Sequence, residues 1–298
     1  MARIGNVNTS SNRRSILAML VAVGAFSLMD ALLKTLTGSY PALQVASLRG
    51  LAALPLVCVY VVWRREVGQL LRIRWRLHLF RGVIGILMLS LFSYALRALG
   101  LAEAYAIFFV APLLITILSI PVLGEKVAPL HWVAIAVGML GVWVALRPDD
   151  AAFFSLGALA VLGAATCYAV SAVTGRVLSR TDASVTLVFW TTVSLSFGAG
   201  VLALPGWVPI ETAHWPVLAA LAVTGFLGQL AITEAFRHGQ ASAVAPFEYT
   251  ALAWGIMLDW SLWRIVPDRY TLAGGAIIIV SGLYLLRKER VKTVAIPP

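Results

Sequence analysis

Charge is scarce in this sequence. Of 298 residues only 12% are Asp, Glu, Lys or Arg, while 60% are hydrophobic. Soluble domains carry about a quarter charged residues, and a soluble chain of this size has far more surface than so few polar groups can cover. A soluble globular protein is therefore excluded. Cysteine is scarce too. Cys58 and Cys167 both lie inside apolar runs, which is neither a disulfide framework nor a metal site; they fit as small packing residues. The four histidines, His78, His131, His214 and His238, sit near the ends of apolar runs and do not gather into a buried metal site. No His-Glu-x-x-His, Gly-x-Ser-x-Gly or Walker-type loop is present, so the common enzyme signatures are missing. No enzyme activity, cofactor or metal is expected. The net charge of +10 would suggest nucleic acid in a soluble protein, but there is no folded basic domain to present it. Nucleic-acid binding is excluded on that ground.

Long apolar runs are what the chain has. Runs of about 18 residues or more can cross a bilayer as helices. Ten spans can be read, roughly 15–37, 41–63, 77–99, 102–123, 129–146, 153–177, 183–204, 215–236, 241–263 and 270–286. Residues 1–14 read as a polar, basic, disordered tail and 288–298 as a second tail. Arg13 and Arg14 stand where a signal peptide would have its basic region. The run behind them is too long, contains Asp30 and Lys34, and meets no small-residue cleavage site, so it reads as an uncleaved first helix. Lysine and arginine in the short loops set the orientation. With the amino terminus inside, sixteen fall in inside segments and four outside, with Lys34, Arg49 and Arg81 within spans. Both termini are expected in the cytoplasm.

Two stretches echo each other. One is AEAYAIFFVAPLLITILSIPVLGEKVAPLHWVAIAVGMLGVWV over 102–144; the other is GQASAVAPFEYTALAWGIMLDWSLWRIVPDRYTLAGGAIIIVSGLYLL over 239–286. Each opens on small residues, has a kink-prone or polar centre, and ends in a glycine-rich apolar helix. A repeat of this kind governs the reading of the fold, and its units are 15–147 and 153–287. Five spans per unit is an odd number, so the second unit is inverted. In secondary transporters inverted repeats put the substrate site near the midplane between the halves. Aligning Ala104 with Ala241 sets Pro112 against Tyr249.

The stretch LAEAYAIFFVAPLLITILSIPVLGEKV followed by VGMLGVWVALRP resembles the first EamA domain of the drug/metabolite transporter superfamily. APFEYTALAW followed by VPDRYTLAGGAIIIVSGLYLLRKER resembles the second. MDALLK in span one and LRGLAA in span two resemble one bacterial, amino-acid-exporting branch. The resemblance implies an all-α integral membrane protein with ten transmembrane helices in two inverted five-helix halves. It also implies a central cavity lined mainly by helices 1, 3, 4, 6, 8 and 9. At the second break Trp263-Arg264-Ile265 stands in place of the family's Gly/acidic pair, so no symmetric acidic pair is expected.

Charges within spans cost at least about 2.5–3.5 kcal/mol each on insertion scales, so each is a functional candidate with a partner to be named. Asp30 and Lys34 are spaced i,i+4 and can pair on one helix face. Arg49 lies at similar depth on the next helix. The three are either a staple between helices 1 and 2 or an anion-binding cluster in which Arg49 takes a carboxylate. Glu248 either meets a substrate ammonium or proton, or pairs with Arg81 or a loop charge. Pro112 and Pro246 free backbone carbonyls that can face a cavity or simply kink their helices. Tyr94, Tyr105, Phe108, Phe109, Tyr168, Trp190, Tyr249 and Trp254 cluster near the midplane, where they suit a flat substrate or interhelical packing. Gln229, Ser90, Ser171 and Thr174 are polar groups within spans. Glu125, beside Gly124 and Lys126, reads as a loop-fixing residue near a gate. The substrate side is thus assigned to Arg49, Tyr94, Phe109, Pro112, Gln229, Glu248, Tyr249 and Trp254. Asp30, Lys34, Arg81, Glu125 and Pro246 are assigned structural or gating roles.

The expectation is a transporter of the bacterial inner membrane, a monomer or homodimer surrounded by lipid, that exports small metabolites. Amino acids, aromatic ones included, are the first choice. Uptake of a vitamin- or nucleoside-like metabolite is the rival within transport, and a lipid-modifying membrane enzyme is the rival outside it.

Overall fold

The computed structural model describes residues 7–71, 73–123, 129–146, 155–238 and 250–294. All regular structure in them is helical, as a bilayer demands, because a helix satisfies its own backbone polar groups. The helices are α1 (Val7–Thr37), α2 (Ala42–Trp63), α3 (Trp75–Ala95), α4 (Leu101–Phe108), α5 (Ala111–Leu123), α6 (Pro129–Leu146) and α7 (Leu156–Leu178). They continue with α8 (Ser184–Val193), α9 (Gly200–Ala203), α10 (Trp215–His238), α11 (Ala251–Leu258) and α12 (Arg269–Val294). Seven continuous stretches among the described residues are long and apolar enough to cross a membrane. The outer surface suits lipid: Val59, Val62, Leu79 and Val83 are each more than half exposed, an apolar surface that water would not favour.

Three details differ from the expectation. Helix α1 is described from Val7, inside the expected tail, with neither glycine nor proline between there and Gly24 to interrupt it. Helix α12 runs on through the basic segment to Val294. The fourth span is two helices, not one. Pro112 has no N–H to give the carbonyl of Phe108, and the chain turns at Phe109-Val110 before α5 begins at Ala111.

Two spans carry wide π-turns, Ser194–Ala199 between α8 and α9 and Asp259–Trp263 after α11. The first receives both neighbouring helices. A Cβ on Gly50 of α2 would collide with the backbone of Ser196, and one on Gly82 of α3 with the side chain of Ser194. Ser47 Oγ donates to Ser196 O at 2.8 Å across the same contact. Each glycine follows an arginine, Arg49 or Arg81, so the close approach also fixes where those two cations sit.

Contacts settle which loops share an end. At one, the Tyr40 end, Arg97 Nη2 donates to Tyr40 O at 2.6 Å, Gln44 Nε2 to Val208 O at 2.6 Å, and Tyr40 Oη meets His214 Nδ1 at 2.7 Å. At the other, the Leu70 end, Trp190 Nε1 donates to Leu70 O at 3.0 Å and His78 Nε2 meets Asp182 Oδ2 at 2.7 Å. Helix α2 enters the Leu70 end through a Schellman turn, with Glu66 N–H on Val61 O and Arg65 N–H on Val62 O. Arg65 holds the left-handed position (φ 56°) that glycine normally takes.

Candidate substrate site and gate

A groove between α2, α8 and α10 runs inward from the Leu70 end in two chambers. The outer, of about 230 Å³, opens between Arg64, Glu66 and Ser184 and carries Tyr60 and Phe226. The inner, of about 80 Å³, is lined by Arg49, Thr191, Thr192, Gly225 and Gln229. Val57, Val188, Phe226 and Gln229 line both. Gly50 pins α2 to the π-turn, which leaves Arg49 beside it turned to the inner chamber. The Arg49 guanidinium makes no hydrogen bond or ion pair among the described residues; Asp30 acts on it electrostatically without direct contact. Arg81 is held nearby, with Nη1 donating to Thr191 Oγ1 at 2.7 Å and to Leu187 O at 3.3 Å, while its buried Nε finds no acceptor among the described residues. Thr191 thus faces Arg49's chamber and holds Arg81.

A second cluster lies toward the Tyr40 end. Lys34 Nζ sits 2.9 Å from Asp259 Oδ1, with both side chains buried, 9% and 1% exposed. The ammonium also lies 4.4 Å over the Trp263 ring. The other oxygen, Asp259 Oδ2, accepts the Ala102 N–H at 2.9 Å and so caps the first turn of α4. One turn further along α4, Tyr105 Oη donates to Asp30 Oδ2 at 2.9 Å. Asp30 and Lys34 therefore do not form the expected i,i+4 pair. Tyr105 donates to the carboxylate and Asp259 accepts from the ammonium, and tertiary packing holds both partners in place. Above the pair opens a vestibule of about 700 Å³, lined by Lys34, Tyr40, Arg97, Val208 and Trp263.

At the Leu70 end, His78 and Asp182 join α3 to the turn between α7 and α8, with side chains 3% and 4% exposed. Burial pushes the Asp182 carboxyl upward. Hydrogen bonds from Thr181, His78 and the Arg74 backbone, with the His78 charge, outweigh it and hold the carboxyl below its usual range.

The remaining candidates scatter. Gln229 lines both chambers of the groove. Phe109 is buried in the core formed by α3, α4, α7 and α11. Trp254 packs against α1, where a Cβ on Gly24 would lie 3.1 Å from its ring. Tyr94 is 42% exposed near the end of α3. Pro112 is the second residue of α5. Among the aromatics, Phe92, Tyr105, Phe108 and Tyr168 form a chain of ring contacts from α3 across α4 to α7. Trp190 instead packs on Trp75 at the Leu70 end. Glu125, Pro246, Glu248 and Tyr249 lie outside the described residues. The groove lies beside α2, α8 and α10, the last of these being the eighth span, and the vestibule is bordered by Leu96 and Arg97 of the third span and Trp263 of the ninth. Asp259 was missed in the sequence, although a lone acid inside the apolar run ALAWGIMLDWSLW is the kind of intramembrane charge that marks a site.

Comparison with known proteins decides the class. The model of the EamA-like transporter family matches residues 13–147 and again 155–287. The chain belongs to the EamA-like transporter family. It is a multi-pass membrane transporter, and the curated relatives reported below are transporters rather than enzymes. The pseudopaline exporter CntI of Pseudomonas aeruginosa strain UCBPP-PA14 is 29% identical over 93% of this chain and 98% of its own. A riboflavin transporter of Vibrio cholerae is 28% identical over 92% and 93%. An S-adenosylmethionine uptake transporter of Rickettsia prowazekii is 22% identical over 91% and 92%. One solved structure superposes with a TM-score of 0.66 over 95% of this chain and 99% of that one, at 18% identity, a likeness of fold alone.

Proposed function

We propose that this transporter exports small carboxylate-bearing metabolites, amino acids and aromatic amino acids among them, from the bacterial cytoplasm. It does so by alternating access between two inverted five-helix halves, with both termini and the Leu70 end on the cytoplasmic side. The observation that carries the reading is the Arg49 guanidinium, which lines a chamber within the bundle and has no hydrogen-bond acceptor among the described residues. A cation within a span needs a partner. A planar guanidinium is built to take a carboxylate with two parallel hydrogen bonds. Tyr60 and Phe226 line the approach to it from the Leu70 end, and such rings favour an aromatic side chain. Glu248, Tyr249 and Trp254 of the ninth span are proposed to contribute from the second half. The exporter relative supports outward flux. The riboflavin and S-adenosylmethionine relatives favour a second reading, uptake of a vitamin- or nucleoside-like solute.

Counterflow in proteoliposomes with a panel of amino acids, riboflavin and nucleosides separates the two. Exchange of amino acids that fails for their decarboxylated amines supports the first reading. Exchange confined to riboflavin or nucleosides replaces it with the second.

A further inference from the structure

The Lys34–Asp259 pair sits where a gate would have to part. We propose that it is the latch of the gate at the Tyr40 end, closed in this structure, and that its opening joins the vestibule to the interior of the bundle. The inference rests on the alternating access proposed above, but not on the identity of the solute.

Four observations place the latch. First, the pair lies between the vestibule and the polar groups beneath it: Lys34 lines the vestibule, and Asp30 and Ser27 lie one and two turns deeper on α1. Second, the seal is tight. A Cβ on Gly255 of α11 would come within 2.9 Å of the Tyr105 ring and 3.2 Å of the Ala102 backbone, and one on Gly100 within 3.0 Å of Asp259 Oδ2. Nothing passes between α4 and α11 while these contacts hold. Third, one carboxylate holds two elements at once, α1 through Lys34 and the start of α4 through Ala102 N–H. Moving Asp259 releases both. Fourth, Asp259 opens the π-turn Asp259–Trp263, and that turn ends on Arg264 in the left-handed conformation (φ 57°). Single wide turns of this kind recur at functional sites.

The chemistry suits a contact that must be broken repeatedly. An apolar plug of the same size would expose its surface to water each time it opened. A buried ion pair gains little net stability from being closed, because desolvation offsets attraction. When it parts, the vestibule returns water to both charges, so open and closed states stay close in free energy. Trp263 keeps a face on the ammonium and excludes water from it while the gate is shut.

The test is cysteine accessibility at Ser27, which is 1% exposed in the closed form. Ser27→Cys is introduced into a chain lacking Cys58 and Cys167, reconstituted in vesicles. A membrane-impermeant maleimide is presented to the face carrying the 206–214 loop, with no substrate added. Labelling should be slow, and should rise at least about tenfold in Lys34→Gln and in Asp259→Asn, a shift of about 1.4 kcal/mol in the gate equilibrium. Asp259→Asn retains an oxygen for the Ala102 N–H, so it removes the ion pair while sparing the cap. Combining the two substitutions should add little, since one broken latch is already open. Lys34→Arg, which keeps the charge, should stay near the slow rate. An unchanged rate in both neutralised variants, or an equal rise in Lys34→Arg, overturns the latch. Each variant is scored only as a monodisperse protein. Because no solute is present, loss of the carboxylate-export reading in the counterflow assay would leave this result standing, and the reverse holds too.

Discussion

Lys34 bonds to Asp259, 225 residues away, and not to Asp30 one turn below it on the same helix. The choice ties the first helix to the second half of the chain. It converts two costly intramembrane charges into one long-range crosslink, and it leaves Asp30 to Tyr105.

That crosslink should be visible in stability. Lys34→Met alone leaves Asp259 buried and unpaired, an arrangement that costs about 3–5 kcal/mol. Lys34→Met with Asp259→Asn removes both charges and should be clearly more stable than Lys34→Met alone. Thermal melting of the purified single and double variants checks this. If the double variant melts lowest by the full sum, the two residues do not act as a pair.

Arg49→Lys should lose transport of carboxylate solutes by at least about tenfold, near 1.4 kcal/mol, while melting stays close to wild type. Lysine keeps the charge but not the planar fork. Initial rates against concentration in proteoliposomes measure it, and normal transport by the lysine variant removes Arg49 from the site.

The Asp182 carboxyl carries a pH signature. Its partners hold it below the usual value in the folded protein. The stability this supplies is therefore complete above the unfolded carboxylate pKa of about 3.9 and is lost as the pH falls through the lower folded value. Asp182→Asn should flatten the fall in melting temperature below about pH 4 and leave a lower, flatter profile above it. A parallel acid limb in wild type and variant would assign the acid sensitivity to other groups.

Topology is checked by single cysteines. In a chain free of Cys58 and Cys167, an impermeant reagent on intact cells should reach a site in 206–214 and miss one in 66–74. The opposite pattern would invert the proposed orientation and, with it, the side on which the latch opens.

Arg65 occupies a left-handed turn at a steric cost of about 1–2 kcal/mol. Arg65→Gly removes the cost but adds freedom to the unfolded chain, for a net gain of roughly 0.5–1 kcal/mol. A rise in melting temperature is expected, and a fall would mean that the Arg65 side chain makes stabilising contacts.

How much of this was legible depended on the signal. Apolar length marked the spans, so the helices followed, and Pro112 marked a kink in the fourth but not its division into two helices. Arg49, Lys34 and Asp30 stood out because charge inside a span is expensive. Their partners did not, since an i,i+4 spacing permits a pair on α1 whether or not a tertiary acceptor competes for it. Asp259 carried the same signal as Lys34 and was overlooked beside the tryptophans that flank it. The π-turns had no signature at all: a widened turn keeps the apolarity of the run and changes only its register.

Ser194–Ala199 absorbs one residue more than an ordinary helix of its height would hold. Deleting any single residue there would take up the bulge: the segment would return to about 3.6 residues per turn while the chain beyond it keeps its facing. Gly200, whose Cβ position approaches Ser47 at 3.0 Å, would stay on that face. Gly50 and Gly82 would press on a backbone no longer broadened to receive them. The seventh span is thus read by its neighbours in frame. A residue gained or lost outside the bulge would instead turn everything beyond it by about 100°, while many substitutions along the same apolar run would only repaint it.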